Sequence, residues 1–245
     1  MFDFLTVLSL ASLPAIGNII GGLLSEWLNP SDTFINRALH AAAGIILAVV
    51  SVEVMPNALA VVPAWILALA FIAGGLVYIA IDAAVTRWQQ SKPEGAGAGA
   101  GAWMVYAAVF ADLVGDGLLI GAGTAVSSQF GLLLALGQVL ADVPEGFSVL
   151  ANFRGRGVKQ KNRLLISASF VIPVLGSALM AYFILRGLDE SAKFAATVFV
   201  SGLYMLAAVE DMIGEAHQNA VDTRWSAGSF LIGYALFLAV SGLFG

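Results

Sequence analysis

The sequence contains no cysteine, which excludes disulfide bonds and thiolate metal ligands. Charged residues are scarce, at 11% of 245 positions, whereas hydrophobic residues make up 60%. Soluble globular domains carry about twice that share of charged residues. A membrane protein is therefore expected, with the lipid bilayer as its surroundings and without a nucleic-acid partner.

Long polar loops are also lacking, because eight apolar segments follow one another with short connections. Each segment is long enough to cross a hydrocarbon core of about 30 Å as a helix. The sequence therefore predicts an all-α membrane protein, a bundle of eight transmembrane helices in a single domain, residues 1–245. The predicted spans are about 3–24, 38–57, 63–85, 103–124, 130–152, 164–186, 192–213 and 226–244.

The 11 basic residues are distributed unevenly among the loops. If the N-terminus is outside, only Arg186 and Lys193 fall on the outer side. Cytoplasmic loops carry an excess of Lys and Arg, and the first span lacks the basic flank of a signal peptide. We therefore expect a multi-pass protein of the plasma or inner membrane with both termini extracytoplasmic. The basic residues on the cytoplasmic side are then Arg37, Arg87, Lys92, Arg154, Arg156, Lys159, Lys161, Arg163 and Arg224.

Residues that disfavour regular helices occur at a few informative places. Pro93 and Glu94 precede an alternating Gly-Ala run, so a flexible cytoplasmic linker is predicted over 93–102. Gly115 and Pro144 lie inside the fourth and fifth spans, where we expect the helices to open locally. In the first span, the small residues of GNIIGGLL indicate close helix packing. Internal packing is expected there, with a homodimer contact as the alternative.

Four acidic residues interrupt the fourth and fifth apolar spans: Asp112, Asp116, Asp142 and Glu145. A carboxylate at the centre of a membrane helix costs roughly 3 kcal/mol, and therefore roughly 12 kcal/mol for four. Spacings of four and three residues place each pair on one helical face. Since the two spans are antiparallel, both pairs are predicted to lie near the midplane, facing the interior of the bundle.

Three kinds of site are compatible with these carboxylates. Hard divalent cations prefer oxygen ligands, so one or two metal ions are the first interpretation. A proton relay without metal is the second, and a protonated cluster of inter-helix hydrogen bonds is the third. Further polar residues are candidates for an accessory role or for the lining of a metal route: Gln138, Glu53, Asn57, Asp82, Glu210, Asp211, Glu215 and His217. Among these, Glu215 and His217 are expected to act together as a cytoplasmic acceptor pair.

The two acidic motifs resemble those of the ZIP family of divalent-metal transporters. That family carries His-Asn-x-x-Asp-Gly in its fourth helix and His-Asn-x-Pro-Glu-Gly in its fifth. Here residues 112–117 read Asp-Leu-Val-Gly-Asp-Gly and residues 141–146 read Ala-Asp-Val-Pro-Glu-Gly. Residues 40–59 and 201–217 are similar to the second and seventh helices of the family. The resemblance implies a ZIP-like helix bundle and an exit route past the acids of the seventh span.

The departures from the family pattern concern the ligands themselves. Asp112 replaces the usual His, Leu113 replaces Asn, and Ala141 replaces the first His or Gln of the fifth-span motif. The sixth span has no acid to offer to a second metal. An all-oxygen site lowers the preference for zinc over harder ions. We therefore expect a site without imidazole that binds Zn²⁺, Fe²⁺ or Mn²⁺ as a transported substrate.

The resulting hypothesis is a divalent-metal transporter, not an enzyme, that moves its ion towards the cytoplasm. A proton-coupled solute carrier that uses the acids as a relay is the main alternative. An intramembrane aspartyl protease is the other, because it too needs two aspartates and a water molecule. Such proteases resemble one another in a Tyr-Asp motif and a Gly-x-Gly-Asp motif. Here Ala141 precedes Asp142 where Tyr should stand, and Leu113 breaks the second motif. His40 and His217 are expected to end helices in the headgroup region or to contact an exiting ion.

Overall fold

The computed structural model describes residues 2–28, 30–90 and 98–244, and these residues form helices and no strand. Eight helices in this part of the chain are long and apolar enough to cross a membrane, which confirms the predicted number of spans. Two of them contain a π-helical segment, and the sixth is interrupted at Phe170. The helices are α1 Phe2–Leu28, α2 Asp32–Ala48 with Val49–Val54 and Met55–Leu59, α3 Ala64–Gln90, α4 Ala98–Val126, α5 Ser128–Gly155, α6 Gln160–Ser169 with Val171–Leu185, α7 Glu190–Ala207 with Ala208–Met212 and Ile213–Asn219, and α8 Arg224–Phe244.

Several helices extend beyond the predicted spans at their polar ends. The α2 helix begins at Asp32, six residues before the predicted 38, because Ser31 caps it by accepting a hydrogen bond from the Phe34 amide. The α4 helix begins at Ala98, so residues 98–102 of the predicted linker over 93–102 are helical instead. Alternate alanines in that run favour helix. Residues 93–97 of the predicted linker lie outside the described residues.

The prediction that α4 and α5 open at Gly115 and Pro144 is wrong. Both helices are continuous through these positions. A proline removes one backbone hydrogen bond from its helix, and a membrane helix of 28 residues retains the others. The irregular turns lie instead in α2 and α7, as the π-helical segments Val49–Val54 and Ala208–Met212. The first of these segments carries Glu53, and the second carries Glu210 and Asp211.

The helices pack as four close pairs: α1 with α5, α2 with α8, α3 with α7, and α4 with α6. The α5 helix also contacts α2 and α4, and α4 contacts α7, so these four helices surround the centre. The α3 and α8 helices are peripheral. Only 11% of the apolar window of each is buried, compared with 67% in α2, α4 and α5. Such exposed apolar faces fit a lipid bilayer.

Glycine brings each pair of helices into backbone contact. A Cβ added at Gly21 of α1 would lie 1.9 Å from the Val143 carbonyl oxygen of α5. In each of the three remaining helix pairs, a Cβ added at one or more glycines would overlap backbone atoms of the partner helix in the same way. The small residues of the first span therefore pack internally, as expected. The glycines of the other pairs are Gly44 and Gly233 for α2 with α8, Gly74 and Gly202 for α3 with α7, and Gly117 and Gly121 for α4 with α6.

The end of the bundle that carries the α1–α2, α5–α6 and α7–α8 turns is called the basic end here, because Arg154, Arg156 and Lys159 lie there. At this end an ion pair joins α1 to α6. The Arg163 guanidinium donates to both Glu26 oxygens at 2.6 Å, and the two side chains are 9% and 5% exposed. This bidentate geometry fixes the end of α1 against the start of α6.

Replacing one partner of this ion pair should be costly. In the variant Glu26→Gln, Arg163 keeps its buried charge but loses a charge-assisted pair of hydrogen bonds, so the free energy of unfolding should fall by about 2–3 kcal/mol. Thermal unfolding in detergent measures the change. Glu190→Gln is the matched control, because Glu190 is exposed at the opposite end and should change stability little. Equal effects of the two substitutions would contradict the structural role assigned to the pair.

Candidate functional site

The four acids of α4 and α5 lie at the middle of their helices and meet in the interior. Asp116 and Asp142 are fully buried, Glu145 is 5% exposed, and Asp112 is partly exposed. The carboxyl groups of Asp112 and Glu145 line the same cavity. Two carboxylates close together repel each other unless one holds a proton or a cation lies between them. The four acids of α4 and α5 thus face the same interior region, as the sequence predicted.

Several oxygens of this cluster have no hydrogen-bond partner among the described residues. They are both carboxylate oxygens of Asp142, Oδ2 of Asp116 and Oε2 of Glu145. No Lys or Arg in the described part of the chain forms an ion pair with any of the four acids. A buried acceptor without a partner costs about 1–3 kcal/mol, and more if it is charged. The cluster therefore has unused ligand oxygens directed into a closed space.

A hydrogen-bonded chain orients one of these acids. The Tyr204 hydroxyl of α7 donates to Gln138 Oε1 at 2.5 Å, and Gln138 Nε2 donates to Asp116 Oδ1 at 2.8 Å. Gln138 and Tyr204 are 0% and 1% exposed. One oxygen of Asp116 is thereby held, while the other remains free. Gln138, predicted as an accessory residue, thus acts through Asp116, and α7 is connected to the acids of α4.

A cavity reaches the cluster from the basic end. A cavity of about 270 Å³ is lined by Asp112 and Glu145 at its inner end and by Asn152 and Arg156 towards the basic end. One turn beyond the acids, in the direction of the opposite end, Leu119 and Leu134 are fully buried. The cavity therefore leads from the acids towards the basic end, and apolar side chains pack beyond the acids in the opposite direction.

The acids of α7 connect this cavity with a second one. Glu210 and Asp211, on the π-helical segment, line both the first cavity and another of about 370 Å³ between α3 and α7. Asp82 and Tyr78 of α3 line the second cavity together with Glu210 and Asp211 of α7. The predicted route residues Asp82, Glu210 and Asp211 are thus brought together near the basic end.

Two other predicted route residues lie elsewhere. Glu53 is 6% exposed at the interface of α2 and α8, where it accepts a hydrogen bond from the Ser241 hydroxyl. The Asn57 side chain donates to the Glu53 backbone carbonyl at 2.7 Å. Neither residue lines either of the two cavities described above. The Glu53 carboxylate thus joins α2 to α8, whereas the hydrogen bond of Asn57 lies within α2.

The predicted acceptor pair of Glu215 and His217 does not form. Glu215 faces the first cavity and accepts a hydrogen bond from the Ser148 hydroxyl at 2.6 Å. His217 contacts Asp222 instead, with 2.8 Å between Nε2 and Oδ2. Residues two apart on a helix point to opposite sides, so the two side chains serve different surroundings.

Sequence reasoning missed Tyr204 and Asp222. A hydroxyl in the middle of the seventh span, six residues before Glu210, was a signal for Tyr204. Asp222 lies in a short turn between spans, where an acid is ordinary. Its importance appears only in the fold, where Asn36 Nδ2 donates to its Oδ1 at 2.9 Å. This hydrogen bond, with the nearby imidazoles, holds the pKa of Asp222 below its usual range.

Comparison with known proteins does not add an identification. No protein-family model matches the chain, and a search of curated proteins gave no significant match.

Proposed function

We propose that the protein transports divalent metal ions across the membrane through the carboxylate cluster of α4 and α5. The observation that carries this proposal is the set of four unpaired carboxylate oxygens on Asp116, Asp142 and Glu145, all in the buried centre of the bundle. A membrane protein keeps such groups at a high cost in stability. A cation that binds between them relieves that cost, and a divalent ion takes oxygen ligands of this kind.

The charge of the cluster favours divalent cations over the alternatives. Four ionised carboxylates carry four negative charges, which one or two divalent ions compensate half or fully. An anionic solute would need basic groups beside the cluster. Among the described residues no Lys or Arg forms an ion pair with the four acids, and Arg156 lines the cavity towards the basic end. A proton relay needs only one acidic group at each step, so it does not account for four convergent carboxylates with free oxygens.

The resemblance to the ZIP family supports the same function and adds a ZIP-like bundle and a direction. The cavity leads from Asp112 and Glu145 towards the basic end, which the excess of Lys and Arg assigns to the cytoplasm. The ion would then leave past Glu210 and Asp211, with Asp82 at the second cavity. Because imidazole is absent from the cluster, hard ions such as Mn²⁺ and Fe²⁺ should compete well with Zn²⁺.

Uptake into proteoliposomes tests the proposal. Wild-type protein should import Mn²⁺ or Zn²⁺, and Glu145→Gln should reduce the rate to that of empty vesicles, because it removes a ligand oxygen charge at the centre. Glu190→Gln is the control, since that acid is exposed at the opposite end and should leave uptake unchanged. Normal uptake by Glu145→Gln would refute the site. Proton flux that is insensitive to metal and blocked by Glu145→Gln would favour the relay.

A second prediction concerns Tyr204, which we assign as a positioning residue. Tyr204→Phe removes the hydroxyl that holds Gln138 and, through it, Asp116. Loss of such an outer-shell partner costs about 10–100-fold in metal affinity. The metal concentration for half-maximal uptake should therefore rise by that factor, with the maximal rate much less affected. Tyr234→Phe is the matched control, because its hydroxyl contacts Ser51 between α2 and α8. An unchanged half-maximal concentration in Tyr204→Phe would exclude the role.

A further inference from the structure

The only two histidines of the sequence meet at the basic end, together with an aspartate. His40 belongs to α2, His217 to the last turns of α7, and Asp222 to the turn between α7 and α8. One oxygen, Asp222 Oδ2, lies 2.8 Å from His217 Nε2 and 3.4 Å from His40 Nε2. One ligand atom from each residue can be chosen so that all three lie within 4.8 Å of one another. This cluster contains the nitrogen ligands that the central site lacks.

The ring of His40 is held by a backbone contact as well as by Asp222. His40 Nδ1 lies 2.8 Å from the Asn36 backbone carbonyl oxygen, which can only accept a hydrogen bond. Nδ1 therefore carries the proton in the neutral ring, and Nε2 presents its lone pair towards Asp222 Oδ2. A lone pair facing a carboxylate oxygen is repulsive without a positive charge on or beside Nε2. Metal-binding histidines commonly have this arrangement, with Nδ1–H donated to a backbone carbonyl.

The position of Asp222 is fixed by a buried amide. Asn36 is 1% exposed, and its Nδ2 donates to Asp222 Oδ1 at 2.9 Å and to the Ala216 carbonyl at 2.9 Å. Its Oδ1 accepts a hydrogen bond from the Ser226 hydroxyl at 2.7 Å. Asn36 thus holds one oxygen of Asp222 and leaves the other between the two imidazoles. An outer-shell partner that orients a ligating carboxylate acts in the same way.

The spacing suits a small transition-metal ion. Zinc–ligand bonds of about 2.0–2.1 Å at tetrahedral angles place neighbouring ligand atoms about 3.4 Å apart. The separation of His40 Nε2 from Asp222 Oδ2 already has this value. The ring of His217 is 54% exposed, and its approach to the same point would supply the third ligand. Water from the exposed side would complete four-coordination.

We propose that His40, His217 and Asp222 form a second metal site, specific for borderline divalent ions of the zinc class. It is separate from the carboxylate cluster, it is open to solution at the basic end, and it does not depend on the proposed transport. Its three ligands come from α2, α7 and the α7–α8 turn, so a bound ion would join these elements. Because it offers two imidazoles, it should prefer Zn²⁺ and Cu²⁺ to Mn²⁺, in contrast to the central site.

The test uses the full chain, purified without a polyhistidine tag, in which Asp142→Asn and Glu145→Gln disable the central cluster. Equilibrium dialysis should find one Zn²⁺ per chain. Cu²⁺ bound to this protein should show coupling to two imidazole nitrogens in its electron paramagnetic resonance spectrum. Since the chain has no other histidine, the nitrogen signal can come only from His40 and His217.

Single substitutions then assign the ligands. His217→Ala should leave one nitrogen in the copper spectrum. Loss of an outer-shell partner costs about 10–100-fold in metal affinity. Because Asp222 is a ligand itself, Asp222→Asn should weaken zinc binding by more than that. Asp32→Asn is the control, because Asp32 is an exposed acid at the same end and should not alter binding. The proposal is overturned if the protein with the disabled centre binds no Zn²⁺ at saturation, or if His217→Ala binds Zn²⁺ like its parent. Neither result would bear on uptake through the central site.

Discussion

Asp142→Asn is expected to make the ion-free protein more stable while abolishing its response to metal. Both Asp142 oxygens are fully buried and lack hydrogen-bond partners among the described residues, so the carboxylate destabilises the empty protein. The amide has the same shape but no charge to desolvate. The gain in the free energy of unfolding should be about 1–3 kcal/mol. A stabilising substitution that removes function is typical of a binding site.

Thermal unfolding in detergent, with and without Mn²⁺, measures both effects. The wild type should gain stability with metal, because a ligand that binds only the folded state stabilises it by mass action. Asp142→Asn should have a higher Tm without metal. It should not show the rise in Tm that Mn²⁺ binding at the carboxylate cluster causes. The measurement is made in the His217→Ala background, so that binding at the basic end does not contribute. Asp32→Asn in that background should behave like its parent, and a metal response that persists in Asp142→Asn would contradict the assignment.

Gly21→Ala is expected to disrupt the packing that positions the site. The added Cβ would lie 1.9 Å from the Val143 carbonyl oxygen and 2.9 Å from the Phe147 amide nitrogen, which are backbone atoms of α5. Backbone cannot move aside as a side chain does, so α1 and α5 must separate. Overpacking of this kind costs about 1–3 kcal/mol, and more where the backbone is rigid. Since Val143 lies between Asp142 and Glu145, the separation also displaces two of the four carboxylates.

Gly176→Ala is the matched control for this prediction. A Cβ at Gly176 of α6 meets no atom within 4 Å, and the residue is exposed on the outer face. Alanine is the better helix former, so stability should stay the same or rise by up to about 1 kcal/mol. Thermal unfolding and metal uptake of the two variants provide the comparison. If Gly21→Ala were as stable and active as Gly176→Ala, the close approach of α1 and α5 would be wrong.

The sequence was sufficient for the number of spans and for the central cluster. Eight apolar segments are long enough to be recognised singly, since a membrane helix satisfies its backbone internally. Spacings of three and four placed each acidic pair on one face, and the antiparallel order of α4 and α5 brought the pairs to one depth. These conclusions depend on local periodicity and chain direction alone.

Contacts between distant segments could not be predicted in this way. Tyr204 reaches Asp116 through Gln138 because α7 packs beside α4, and nothing in the local pattern of α7 indicates that neighbour. His40 and Asp222 meet because the ends of α2 and α7 lie together. The π-helical turns were missed for a related reason. The π-helical segment of α7 carries Glu210 and Asp211, whereas Pro144, which was expected to open α5, lies in a continuous helix.

The most direct test of the central claim is anomalous diffraction from crystals grown with saturating Mn²⁺. We expect an anomalous peak between α4 and α5, bonded to Asp142 and Glu145, and its loss when these residues are changed to Asn and Gln. A peak at the cluster of His40, His217 and Asp222 would be independent of it. The absence of a peak among the four carboxylates in a well-ordered crystal with saturating Mn²⁺ would contradict the assignment of a metal site at the centre of the bundle.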